Sequence, residues 1–172
     1  MRDFARALLL WVAFALPLNL AWELVQLRFY TLWSEGTPLV IAYSIAHCTI
    51  GDAMIAAVAF AVGAAASRRK DWPHASPWLG GISAVVFGIA YTAFSEWFNV
   101  YRIASWDYAP SMPLIHGIGL TPLLQWIAIP ILMIALFRRW GHGRSDVESF
   151  PVSGKWSRQP AKEVTHEVRR RG

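Results

Sequence analysis

The sequence predicts an all-α fold, a polytopic membrane protein built as a bundle of four transmembrane helices. Three observations lead there. The 172 residues are 55% hydrophobic and only 16% charged, too few charges to cover a soluble domain of this size. The charges are segregated: residues 7–27, 38–66, 77–100 and 117–137 hold only Glu23, His47, Asp52 and Glu96 as acids or imidazoles. Each stretch also reaches the roughly 20 residues that cross about 30 Å of hydrocarbon as a helix.

The first stretch follows Arg2 and Arg6, which gives it the look of a signal peptide. Its apolar core runs on too long, and no small-x-small cleavage site follows cleanly, so it is expected to remain as a helix. The second stretch exceeds one span and is expected to tilt or to project into the interface. A short basic link, "SRRKDWPH", joins it to the third, and the fourth ends at "RRWGHGR". The other two links carry one Arg each, Arg28 and Arg102. The bias of Lys and Arg therefore predicts that both termini are cytoplasmic and that the loops 28–37 and 101–116 are outside. The net charge of +5 arises largely from these clusters and the tail. They read as topology anchors rather than a nucleic-acid surface. The transmembrane domain is assigned to residues 1–140. Residues 141–172 turn polar, mixed in charge and rich in Gly, Ser and Pro, and are predicted to be a disordered cytoplasmic tail. Its terminal "RRR" suits anionic lipid. Cys48, the single cysteine, allows no intramolecular disulfide and reads as a packing residue within the second helix.

Polar residues within the apolar stretches are the candidate site. Asn19, Trp22, Glu23 and Gln26 are spaced i, i+3, i+4, i+7, which places them on one helix face, just after Pro17. Thr92, Ser95, Glu96 and Asn99 repeat that spacing in the third helix. Thr121 and Gln125 flank Pro122 in the fourth. In the second helix Ser44, Cys48 and Asp52 line up, whereas His47 and Asp52 stand about 140° apart around the axis and cannot both face one small target. At 1.5 Å per residue, Glu23 and Glu96 lie roughly 5–6 Å below the outer ends of their helices, His47 and Gln125 roughly 12 Å, and Asp52 near 20 Å. The expected picture is an outward-opening polar cavity with Asp52 as its floor. Glu23, Glu96, His47 and Asp52 are its candidate catalytic groups, because ionisable residues inside a membrane are expensive and functional by default. Glu23 and Glu96 are expected to face one cavity, where two carboxylates would repel, so at least one is expected to be protonated or paired near neutral pH, with His47 and Arg102 as candidate partners. Asn19, Trp22, Trp97, Asn99, Trp106, Tyr108, Gln125 and Trp126 are the candidate substrate-binding residues, and His116 a further candidate at the interface. The stretch from Trp106 to Pro113 is stiffened by Pro110 and Pro113 and suits a lid. Gln26, Thr92, Ser95, Thr121 and Gln125 also fit a plainer role as hydrogen-bonding glue between helices. Glu23 to Trp33 and Glu96 to Trp106 are both ten residues, a correspondence that a parallel repeat of two helix pairs would explain.

The segments "AWELVQLRFYTLW", "HCTIGD", "YTAFSEWFNV", "SWDY", "MP" and "GLTPLLQWIAIP" together resemble a group of uncharacterised small four-helix bacterial inner-membrane proteins. That resemblance spans roughly residues 15–137 and implies a fold but no activity. Separately, "NLAWE" resembles the Asn-x-x-Trp-Glu stretch of integral-membrane terpene cyclases, which implies that Glu23 is the acid that protonates an isoprenoid. Three functional classes follow. One is an enzyme acting by acid/base chemistry on an isoprenoid or other lipid, with Glu23 as acid and Glu96 or Asp52 as base. A second is a non-catalytic subunit that binds a membrane-protein partner. The third is an intramembrane metal or haem site using His47, Glu23, Glu96 and His116, although no short ligand spacing supports it. The sequence indicates no particular cofactor.

Overall fold

The computed structural model describes residues 2–148. Its helices are α1 (Arg2–Gln26), α2 (Leu32–Glu35), α3 (Pro38–Ser67), α4 (Trp72–Ala75), α5 (Pro77–Trp97) and α6 (Leu120–Glu148). α1, α3, α5 and α6 are long and apolar enough to cross a membrane and suggest a multi-pass membrane protein. α1 packs against α3 and α6, and α5 packs against the same two, so α1 and α5 lie diagonally across an up-down bundle. One end carries Arg6, Arg68, Arg69, Lys70, Arg138 and Arg139 and is called here the basic end. The other carries residues 27–37 and 98–119 and is called the loop end. α6 runs past residue 140, where composition sets the start of the tail; the rest of that tail, 149–172, lies outside the described residues.

The burial pattern reverses that of a water-soluble bundle. Leu9, Ile50, Met54, Ile82, Phe94 and Ile131 are exposed on the outer faces, while Asn19, Gln26, Thr92, Glu96 and Gln125 are buried. Large apolar side chains outside and satisfied polar ones inside suit an apolar solvent. Toward the basic end the core is aromatic. Trp11 lies 5.5 Å from Phe60, 5.3 Å from Trp72 and 5.8 Å from Phe137, measured between ring centroids. Trp72 projects from the short α4 into the bundle, where its Nε1–H donates to Phe60 O at 3.1 Å. Gly80 makes room for it: a Cβ there would sit 2.4 Å from the indole. Beneath it, the exposed Arg69–Asp71 ion pair (3.3 Å) lowers the Asp71 carboxyl from its usual value and contributes little to stability.

At the loop end the fold departs from four plain helices. α5 passes into a π-helical turn over Phe98–Arg102. A small antiparallel hairpin, β1 (Leu114–Ile115) and β2 (Ile118–Gly119), follows, turning at His116 and Gly117, both with positive φ. The segments after α1 and α5 pair directly through a Tyr30–Tyr108 bridge, with Thr31 N–H donating to Asp107 O (3.0 Å) and Ala109 N–H to Phe29 O (2.9 Å).

Candidate functional site

α1 presents one buried stripe to the bundle axis. Trp22 Nε1–H donates to Gln26 Oε1 (3.1 Å), and Gln26 Nε2 donates to Glu23 Oε1 (2.6 Å) and to Gln125 Oε1 (3.4 Å). From α6, Gln125 Nε2 donates to Asn19 Oδ1 (2.8 Å) and to Asp52 Oδ2 (2.7 Å), and Asn19 Nδ2 returns to Ala15 O (2.9 Å). The Glu23 and Asp52 carboxyl groups themselves meet within hydrogen-bond reach. The centre is thus a carboxyl pair between α1 and α3, with an amide donating to each member. Both hydrogens of each glutamine amide are used, and each amide oxygen accepts one bond.

Asp52 is not a floor beneath Glu23, as depth counted from helix ends predicts, but sits level with it. Glu23 is three residues from the end of α1, whereas Asp52 is 14 from the start of α3. The difference means that α3 projects roughly 15 Å beyond α1 at the loop end. The exposure of Thr37, Pro38, Leu39 and Val40 agrees with this.

Glu96 forms a second, neighbouring set. Tyr108 OH donates to its Oε2 at 2.7 Å, Tyr30 OH approaches both oxygens at 3.3 Å, and the Gly119 N–H donates to Tyr108 OH at 3.0 Å. The Trp106 indole N–H is buried against the same carboxylate, short of hydrogen-bond geometry. Burial first, and the Glu96 carboxyl next, raise both phenols well above their ordinary value, so both remain protonated donors at neutral pH. Glu96 is near enough for its charge to act on Glu23 and Asp52, and Cys48 lies within reach of all three acids.

Several candidate residues lie elsewhere. His47 is exposed and stacks on Tyr43 (5.8 Å between ring centres, 21° between planes). The 140° offset from Asp52 explains why one faces inward and the other outward. His116 is exposed at the hairpin turn, away from the acids. Arg102 lies over Trp97 at 5.6 Å rather than beside a carboxylate, and Trp97 is 43% exposed on the outer face. Asn99 donates back one turn to Ser95 O (2.8 Å) and Ser95 Oγ (3.2 Å) rather than to an acid. Thr121 Oγ1 meets Met112 Sδ at 3.3 Å. Trp126 is buried against Gly88, where a Cβ would come within 2.1 Å of its ring. With His47 and His116 exposed, the ligands of the alternative metal or haem reading are not brought together. Among the described residues, no three His, Cys, Asp or Glu side chains come together as a metal-holding group.

Asn19 and Gln125 of this layer also wall a small void toward the basic end. Sequence reasoning also misses the phenol of Tyr30, which reaches an acid 66 positions away through loop pairing that no helical spacing reveals. Comparison with protein-family models, curated proteins and solved structures finds no match.

Proposed function

We propose that this chain is a multi-pass protein of the bacterial inner membrane, basic end cytoplasmic, in which Glu23 and Asp52 perform acid/base chemistry on an isoprenoid or other lipid. The contact between the two carboxyl groups carries the reading. Two carboxyls that touch cannot both hold a negative charge, so one proton is kept between them. A proton donor and a proton acceptor then stand side by side, the equipment for rearranging an alkene. The Glu23 proton adds to one alkene carbon and leaves a cation; Asp52 removes a proton from a neighbouring carbon and restores a double bond. The proton then passes back across the pair, and the cycle needs no other reactant. The indole face of Trp22 and the nearby tyrosine rings stabilise the transient positive charge. Glu96, engaged by two phenols, acts as a positioning residue that holds the 106–113 segment over the pair, and the substrate approaches from the loop end.

The test works with an unidentified substrate. Protein in nanodiscs is incubated in deuterated water with a total isoprenoid extract of bacterial inner membrane. Deuterium is expected in one lipid species with the wild-type protein and in none with Glu23→Gln or Asp52→Asn, both still folded. No incorporation by the wild type would overturn the reading.

The saturation of the Gln26 and Gln125 amides favours a second reading, a non-catalytic subunit whose polar layer fixes helix register for a partner. Under it, Glu23→Gln should preserve folding and partner binding, because register needs hydrogen bonds rather than acidity.

A further inference from the structure

Below the polar layer the bundle keeps a small void walled by Trp11, Asn19, Ala84, Gln125, Trp126 and Met133, among others. About 10 Å³ of it is open to a water centre, room for roughly one molecule and far too little for a lipid tail. Two walls carry a buried indole N–H without a partner: Trp11, 1% exposed, and Trp126, 4% exposed. Asn19 spends one amide hydrogen on Ala15 O and accepts one bond from Gln125, which leaves a hydrogen and a lone pair. Pro130, also at the void, has no N–H, so the Trp126 carbonyl lacks its usual helical donor. Voids lined by hydrocarbon alone stay dry, whereas buried polar atoms left unpaired are costly. Here the unpaired groups are grouped around a space the size of a water.

We infer that this void is a built binding site for a single water molecule. The water accepts from the Trp11 and Trp126 indoles and donates to Asn19 Oδ1 and the Trp126 carbonyl, four bonds in all, the full capacity of water. Its role is positioning. By engaging Asn19 it keeps the Gln125 amide turned so that one hydrogen goes to Asn19 and the other to Asp52. The positioning role rests on the acid/base reading above; the hydration does not.

The test uses full-length protein with ¹⁵N-labelled tryptophan in nanodiscs, and reads magnetisation transfer from water to indole protons. Trp11→Phe and Trp126→Phe assign the two signals. Both indoles are expected to show a long-lived water contact in the wild type. Ala84→Val, which narrows the void, should abolish both contacts and shift the infrared carbonyl band of the protonated carboxyl. Trp126→Phe, which removes a donor without adding volume, should weaken the Trp11 contact and shift the same band. Dry indoles in the wild type would overturn the site. An unmoved band after the water has left would overturn the positioning role. Failure of the acid/base reading would appear separately, in the deuterium experiment.

Discussion

Glu23 answers to its neighbours on both sides of the bundle, and substitutions there separate charge from shape. Glu23→Ala removes the partner of both Gln26 and Asp52 and is expected to cost about 1–3 kcal/mol, read as a lower thermal midpoint in detergent or nanodiscs. Glu23→Gln keeps the size and a hydrogen-bonding amide and should hold most of that stability while losing deuterium transfer. Tyr108→Phe deletes the donor to Glu96 and the acceptor of the Gly119 N–H. It should cost about 1–3 kcal/mol and make the 106–113 segment more sensitive to protease. A midpoint unchanged by Tyr108→Phe would show that the backbone pairing alone holds the segment. The i, i+3, i+4, i+7 spacing of Asn19, Trp22, Glu23 and Gln26 is enough to read which face of α1 is buried. Spacing along one helix cannot tell which acid on another helix it meets, so the Glu23–Asp52 contact is not legible, and counting depth alone sets Asp52 too low.

At the level of elements, helix existence is legible because each long helix is an almost uninterrupted apolar run. The ends are less so. The length of α3 predicts tilt or projection, and the helix projects beyond α1; without knowing where one helix stands against its neighbour, counting residues from an end gives the wrong level. The π turn after Trp97 and the β1–β2 hairpin carry no periodic signal, and both fall where the sequence reads as loop or helix end. Close helix contact yields a sharp expectation in α5. Gly88→Val would drive side-chain carbon into the Trp126 ring, where even a Cβ would come within 2.1 Å. Overpacking of this kind should cost about 1–3 kcal/mol and separate α5 from α6. Gly51, with nothing within 4 Å of its added Cβ, is the matched control, and Gly51→Val should lower the midpoint far less. Equal effects at both glycines would contradict the packing described for Trp126.

For the whole molecule, the proposed orientation places the basic end in the cytoplasm. In a Cys48→Ala background, a membrane-impermeant thiol reagent added outside should label Asp107→Cys and spare Arg69→Cys; the opposite pattern would invert the topology. The aromatic plug at the basic end should be the most stable part of the bundle. Trp72→Ala, which empties a fully buried site, should cost about 3–5 kcal/mol and be felt before any effect on deuterium transfer. Outward apolar faces and a polar interior are readable from composition. The grouping of acids into a carboxyl pair and a separate phenol-held set is not, because it depends on how two loops meet.

The carboxyl pair also bears on how the chain is made. Its two members lie on the first and second long helices, so both have left the ribosome before α5 and α6 exist. On the proposed reading, a hairpin that joins Glu23 to Asp52 through one proton carries a single negative charge in place of two, with Gln26 already donating to Glu23. Both members of the pair are therefore present before Gln125 is made. Glu96 finds Tyr108 on its own hairpin, but meets Tyr30 only by closing against the half made before it. Closure of the loop end, where Tyr30 and Tyr108 converge on Glu96, therefore waits for the second half of the chain.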